Sequence, residues 1–221
     1  MVLSVYISEP NGRAQACVIW MHGLGADASD MVGLADQLMV NDVTLRHVFI
    51  DAPSRPVTLN GGLVMPAWYD ITGTELVDRE DKQGIEQSEL LIRRIIESQV
   101  KDGFELGQII LAGFSQGGAM AIHTALRTPG LLAGVVALSA YLPLASETKP
   151  ILDVNTPFFM GAGQFDPLVL PKWSHESRDW LLTNGYEHVS YYQYPMEHSI
   201  CFEEIKDLSL WLNKQVQGVL Q

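Results

Sequence analysis

The sequence predicts an α/β fold in which a mostly parallel central sheet carries helices on both faces. Three observations predict it. Short apolar or β-rich runs alternate with longer stretches of helical period, the order that parallel crossovers require. Most of those runs are apolar at every position rather than at alternate ones, as strands buried on both faces are. The chain also has 221 residues, 47% of them apolar, enough to bury a sizeable core within one domain.

The elements follow in order. "LSVYIS" (3–8) has no helix before it and reads as an antiparallel edge strand, and "ACVIWM" (16–21) opens the parallel set. A helix over 30–39 places Met31, Leu34, Ala35, Leu38 and Met39 at spacings of three and four, and 47–50 is the next strand. From 52 to 84 the chain has no convincing period. It passes Pro53, Pro56, Gly61, Gly62, Pro66 and Gly73, yet holds Leu63, Val64, Met65, Trp68 and Tyr69. Irregular connections longer than about 12–15 residues are uncommon and are usually functional or disordered. So many large apolar side chains favour a functional, lid-like segment. A helix over 85–100 carries Leu91, Ile92, Ile95 and Ile96, a strand covers 108–113, and a helix over 117–126 stops before Pro129-Gly130. Strands at 134–138 and 157–161, a helix at 172–182 halting before Asn184-Gly185, a strand at 189–194 and a helix at 203–216 complete the chain. No repeat or linker interrupts it, so one domain spans 1–221, without a large cap.

Composition excludes several function classes. Lys and Arg total 14 against 26 Asp and Glu, a formal charge of −12, and no basic run offers a phosphate-binding stripe. Nucleic acid is therefore excluded as a partner, and electrostatic docking on an anionic membrane is disfavoured. Cys17 and Cys201 are the only cysteines, and no Cys/His cluster has metal-ligand spacing, so no metal site is expected and the thiols read as idle in a reducing compartment. "MVLSVYISEP" lacks a basic region followed by a long apolar one, and no stretch has membrane-spanning length, which implies a cytoplasmic location.

The chemistry is carried by "IILAGFSQGGAMAI" (109–122), where Ser115 sits between a buried strand and an apolar helix. A strand, a sharp turn with Ser at its apex and an immediate helix make the nucleophile elbow of α/β hydrolases. Gly113 and Gly117 are needed because side chains there would collide with strand and helix, and Gly118 allows close packing. The turn exposes the hydroxyl and leaves the Gln116 N–H unpaired at a helix N-terminus, where developing negative charge is stabilised.

A Ser hydroxyl needs a base, and the expected chain order is Ser, Asp, His. His22 and His47 precede Ser115, His123 and His175 lie within helices, and His188 opens a strand at the wrong edge. His198, in "YPMEHSIC", follows the strand at 189–194 and falls in a loop at the carboxyl edge of the sheet. Asp166, in "GAGQFDP", lies just past the strand at 157–161, whereas Asp153 precedes it and Asp179 is helical. Asp166 is therefore the residue expected to orient His198. A second oxyanion donor is expected from "HGLG" (22–25), whose glycines let a backbone N–H turn toward the elbow while His22 braces the loop.

HGLG, GFSQGG, FDPLVLP and the His-Ser after Pro-Met-Glu, in this order, resemble the phospholipase/carboxylesterase family, which includes acyl-protein thioesterases and bacterial carboxylesterases. The resemblance implies an α/β-hydrolase fold, a Ser115–Asp166–His198 triad and an oxyanion hole from the N–H groups of Leu24 and Gln116. It also implies cleavage of carboxylic esters, lysophospholipids or acyl thioesters without a cofactor. "MPAWYD" (65–70) matches a family segment that flanks the acyl pocket. Ala26 between Gly25 and Asp27, and Gln164 ahead of the Asp-Pro, depart from the thioesterase pattern. They point to a carboxylesterase for short to medium acyl chains, with lysophospholipase or acyl-protein thioesterase activity as the alternative. An inactive binding module and a peptidase on the same fold are the remaining readings.

The apolar residues at Leu63, Val64, Met65 and Trp68, with Leu168 and Val169 after Asp166, are the expected acyl-binding lip. Such a lip would receive a small-molecule or lipid ester and could touch membrane surfaces transiently. Homodimerisation is left open.

Overall fold

In the computed structural model, which describes residues 3–40 and 42–219, the alternating runs form a seven-stranded sheet in the order β1-β3-β2-β6-β7-β8-β9. The N-terminal reading begins on Met1 and Val2, which lie outside the described residues. The strands are β1 (Val5–Ser8), β2 (Ala16–Met21), β3 (Leu45–Ile50), β6 (Ile109–Phe114), β7 (Gly134–Leu138), β8 (Phe158–Gly163) and β9 (Val189–Tyr194). β1 pairs antiparallel with β3 at one edge, and every other pairing in this sheet is parallel. The expected antiparallel edge strand is therefore present.

Among the described residues five α-helices cover the sheet: α1 (Ala28–Ala35), α2 (Lys82–Lys101), α3 (Gln116–Leu126), α4 (Pro171–Thr183) and α5 (Phe202–Val219). The pleat of β2 explains why its sequence is apolar throughout. Cys17, Ile19 and Met21 face one core with Ile85 and Ile92 of α2, Met120 of α3 and Trp173 of α4. Ala16, Val18 and Trp20 face the other, with Met31 of α1 and Leu208 and Leu212 of α5. Each fully buried side chain of this size contributes about 1.5–3 kcal/mol of transfer free energy. β9, at the other edge, is only half-buried. No helix among the described residues is long and apolar enough to cross a membrane.

The stretch 52–84 is more ordered than its sequence suggests. It contains a hairpin, β4 (Ser54–Val57) and β5 (Leu63–Pro66), joined through a 3₁₀ turn at Thr58–Asn60, and its last residues already belong to α2. Four-residue strands carrying Pro56 and Pro66 have no detectable period, and proline is tolerated because this two-stranded sheet is all edge. Asp81 caps α2 by accepting from Gly84 N–H at 2.9 Å. α1 ends at Ala35, four residues before the helix expected from its apolar spacing.

Candidate active site

Parallel pairing puts the carboxyl ends of β2, β6, β8 and β9 on one edge of the sheet, so the segments that leave them converge. β6 ends at Phe114 and α3 starts at Gln116, with Ser115 alone between them at φ 54°, ψ −120°. This is a strained conformation for a residue with a Cβ. It is held by Ser115 N–H donating to Leu138 O at 2.8 Å and by Ala119 N–H donating to Ser115 O at 2.9 Å. A Cβ on Gly113 would overlap the backbone of Gly117, and one on Gly117 would overlap the Met21 and His22 carbonyls, so strand, turn and helix meet backbone to backbone.

The structure brings the three residues expected from the sequence together. His198 Nε2 lies 2.8 Å from Ser115 Oγ, and His198 Nδ1 lies 2.7 Å from Asp166 Oδ2. Asp166 is 3% exposed, and its other oxygen accepts from the Leu168 and Val169 N–H groups, both at 2.9 Å. The carboxylate is thus fixed on one side by backbone and left free to face the imidazole on the other. The Phe114 ring packs on His198 with centroids 4.8 Å apart. Such a relay can take the Ser115 proton onto Nε2 while the carboxylate faces the resulting imidazolium.

After β2 the chain turns through His22–Gly23–Leu24–Gly25, with Gly25 at φ 74°. A Cβ on Gly23 would meet Ser115 Cβ at 3.5 Å, so this loop lies directly against the elbow. His22 is fully buried and shows how the loop is braced. Its Nε2 accepts from Ala52 N–H at 2.9 Å, so the proton sits on Nδ1, which donates to Gly23 O at 2.7 Å. The Leu24 N–H has no hydrogen-bond partner among the described residues, and Gln116 N–H opens α3 beside Ser115.

A cavity of about 570 Å³ opens over Ser115 and His198. Leu168 and Val169 line it, as expected from the sequence. Leu63, Val64, Met65 and Trp68 do not. Leu63 and Val64 are each 63% exposed on the hairpin, Met65 is half-buried with its Sδ near Gly25, and Trp68 is fully buried. The walls are instead made by Leu59, Ile71 and Leu76 from the same 52–84 stretch, with Met31 of α1 and Ile200 after His198. The sequence holds a signal for Met31, on the apolar stripe of α1. It holds none that ranks Leu59, Ile71 and Leu76 above their neighbours, because the segment has no period. Among the described residues no group of three or more His, Cys, Asp or Glu side chains is arranged to hold a metal ion.

Comparison with known proteins gives a consistent picture. The family model described as Phospholipase/Carboxylesterase matches residues 4–216. The acyl-protein thioesterase 1 of Cryptococcus neoformans is 34% identical over 223 aligned positions, covering 92% of this chain and 94% of that protein. The crystal structure of Zea mays acyl-protein thioesterase 2 superposes with a TM-score of 0.83 at 26% identity, covering 96% of this chain and 99% of that one. The Bacillus cereus carboxylesterase shares the fold with a TM-score of 0.78 at 18% identity, over 96% of this chain and 94% of that one.

Proposed function

The chain belongs to the phospholipase/carboxylesterase family, and on that premise we propose that Ser115, His198 and Asp166 are the catalytic triad through which it hydrolyses esters. The observation that carries this reading is the unbroken relay from Asp166 through His198 to Ser115, with both links at 2.8 Å or less.

Ser115 Oγ attacks the ester carbonyl carbon as His198 Nε2 takes its proton. The carbonyl π electrons move onto oxygen, and the N–H groups of Leu24 and Gln116 receive that oxyanion. On collapse the alcohol leaves with the proton from His198, and an acyl-Ser115 ester remains. Water, deprotonated by the same imidazole, then releases the acid. Asp166 keeps His198 in the Nδ1–H tautomer and faces the imidazolium at each stage. A thioester enters the same sequence with a thiol as leaving group, a reading favoured by the acyl-protein thioesterase relatives.

The apolar cavity supports acyl chains of short to medium length as substrates, with Leu59, Ile71, Leu76, Leu168 and Val169 against the chain. The exposed tip at Leu63 and Val64 suits transient contact with a lipid surface that presents such substrates. Both cysteines are free thiols, and burial pushes Cys17 up to about 12, which fits idle side chains in a reducing, cytoplasmic setting.

The test is Ser115→Ala, assayed on p-nitrophenyl esters and with a fluorophosphonate probe. Loss of about 10⁴–10⁶ in kcat with unchanged thermal unfolding, and loss of labelling, is expected. A variant that keeps a tenth of the wild-type rate overturns the assignment.

A further inference from the structure

Trp68 stands outside the cavity, yet its two N–H groups go to two different parts of the catalytic frame. Its backbone N–H donates to Gln116 Oε1 at 2.7 Å, and its indole Nε1–H donates to His22 O at 2.9 Å. Its carbonyl accepts from Ser88 Oγ of α2. The neighbours of Trp68 continue the pattern: Gln116 Nε2 donates to Tyr69 O at 2.8 Å, and Gly25 N–H donates to Pro66 O at 2.8 Å. The loop 22–25 is therefore gripped at both ends by one short stretch of chain, its first carbonyl by Trp68 and its last N–H by Pro66. Between these grips His22 Nδ1–H takes the Gly23 carbonyl. The Leu24 N–H is left over.

Both groups assigned to the oxyanion thus belong to residues anchored by the same stretch. Leu24 is anchored through the ends of its loop, and Gln116 is anchored through its side-chain amide. The Trp68 side chain is fully buried and its ring tilts against His22 with centroids 5.6 Å apart, so little slack exists in the connection. Donors that stabilise a transition state must be fixed before charge develops, because reorienting them during the reaction forfeits the benefit.

We infer that Trp68 is a positioning residue that locks the His22–Gly25 loop to Gln116 and so sets the aim of the two oxyanion N–H groups. The inference rests on the triad reading and deepens it. Trp68 acts through other residues and touches no substrate.

The experiment is Trp68→Phe, which keeps an aromatic side chain and removes only the indole donor from the hydrogen-bond set. Steady-state kinetics on acetate and octanoate esters are read alongside inhibition by a trifluoromethyl ketone, whose serine adduct places an oxyanion in the same hole. The expected result is a fall in kcat of about ten-fold, short of the roughly 10²–10³-fold cost of deleting a donor outright. KM should be unchanged within about two-fold for both esters, and ketone affinity should fall by the same factor as kcat. A KM that rises with acyl length at constant kcat makes Trp68 a substrate contact and overturns the inference. Wild-type kinetics with only a lowered Tm makes it plain core and overturns it as well. If Trp68→Phe does not fold, Gln116→Met cuts the other link while keeping the Gln116 backbone N–H. It should give the same kcat and ketone signature, and an unchanged kcat refutes the proposal. Failure of the triad reading is told apart by Ser115→Ala, which would then remain active.

Discussion

Glu204, in the first turn of α5, is fully buried, and among the described residues no hydrogen bond of good geometry reaches either carboxylate oxygen. It lies against Gly161 of β8, where a Cβ would overlap its Oε1. Burial pushes its carboxyl up to about 8, the nearby Cys201 N–H offsets part of this, and the Asp207 charge adds to it. At neutral pH the folded protein therefore holds this group as a neutral acid, while the unfolded chain ionises it near 4.5. Between those values the native state binds the extra proton. Stability contributed by Glu204 is thus fully present below about 4.5 and is lost as pH rises to about 8. The slope is about 1.4 kcal/mol per pH unit, hence about 4 kcal/mol between pH 5 and pH 8. Glu204→Gln carries no titrating proton, so the stability difference between wild type and variant isolates this contribution from His47, whose burial lowers it to about 4, and from Glu80, which burial raises to about 7. Urea unfolding of both proteins across pH 5–9 measures it. The wild type should lose ground steadily to Glu204→Gln up to about pH 8 and hold a constant offset above it. A difference that stays flat across the range refutes the reasoning and means that the slot is wet or Glu204 ionised.

Among the described residues Asp30 is the one Asp, Glu, Lys or Arg side chain lining the cavity over Ser115. Asp30→Asn should raise kcat/KM for esters bearing an anionic group about three- to ten-fold relative to neutral esters of equal length, with the gain shrinking in high salt. An unchanged ratio would show that the charge does not reach the substrate. Leu59→Ala and Ile71→Ala should each raise KM for octanoate esters more than for acetate, by about five- to thirty-fold if the lost contacts amount to about 1–2 kcal/mol. Leu63→Ala and Val64→Ala should leave both unchanged in solution assays. Asp166→Asn should preserve the fold and lower kcat by about 10⁴, as an amide presents the wrong tautomer partner to His198.

The middle of the sheet was legible because β2, β6, β7 and β8 are buried on both faces, so "ACVIWM" and "IILAGF" could be nothing but interior. The convergence of Ser115, Asp166 and His198 was legible for a related reason. Each follows a recognisable strand, and parallel strands deliver their following loops to one edge. Trp68 is buried in the frame and not in the expected acyl-binding lip, because an apolar count does not register an indole N–H or the carbonyl it meets. Glu204 did leave a trace: it stands four residues before Leu208 and eight before Leu212, both fully buried, on the inward stripe of α5. A carboxylate on that stripe is hidden by the charged run around it, and only the packing on Gly161 reveals that the helix has turned it inward.

The two halves of the site differ in what holds them. The proposed triad and the 22–25 loop hang from strand ends, so their spacing follows from strand register, and a shift in β8 or β9 would move Asp166 or His198 as a unit. One wall of the cavity, made by Leu59, Ile71, Thr74 and Leu76, comes from the 52–84 excursion, which among the described residues pairs as a sheet only with itself and reaches the frame through contacts that include Pro66, Trp68, Gln116 and the Asp81 cap. Changes at Leu59, Ile71 or Leu76 can therefore alter which acyl group fits without moving Ser115. Changes at Trp68 or Gln116 reach the chemistry without altering the fit. That division predicts opposite kinetic signatures, KM against kcat, from Ile71 and Trp68, which lie three positions apart in the chain.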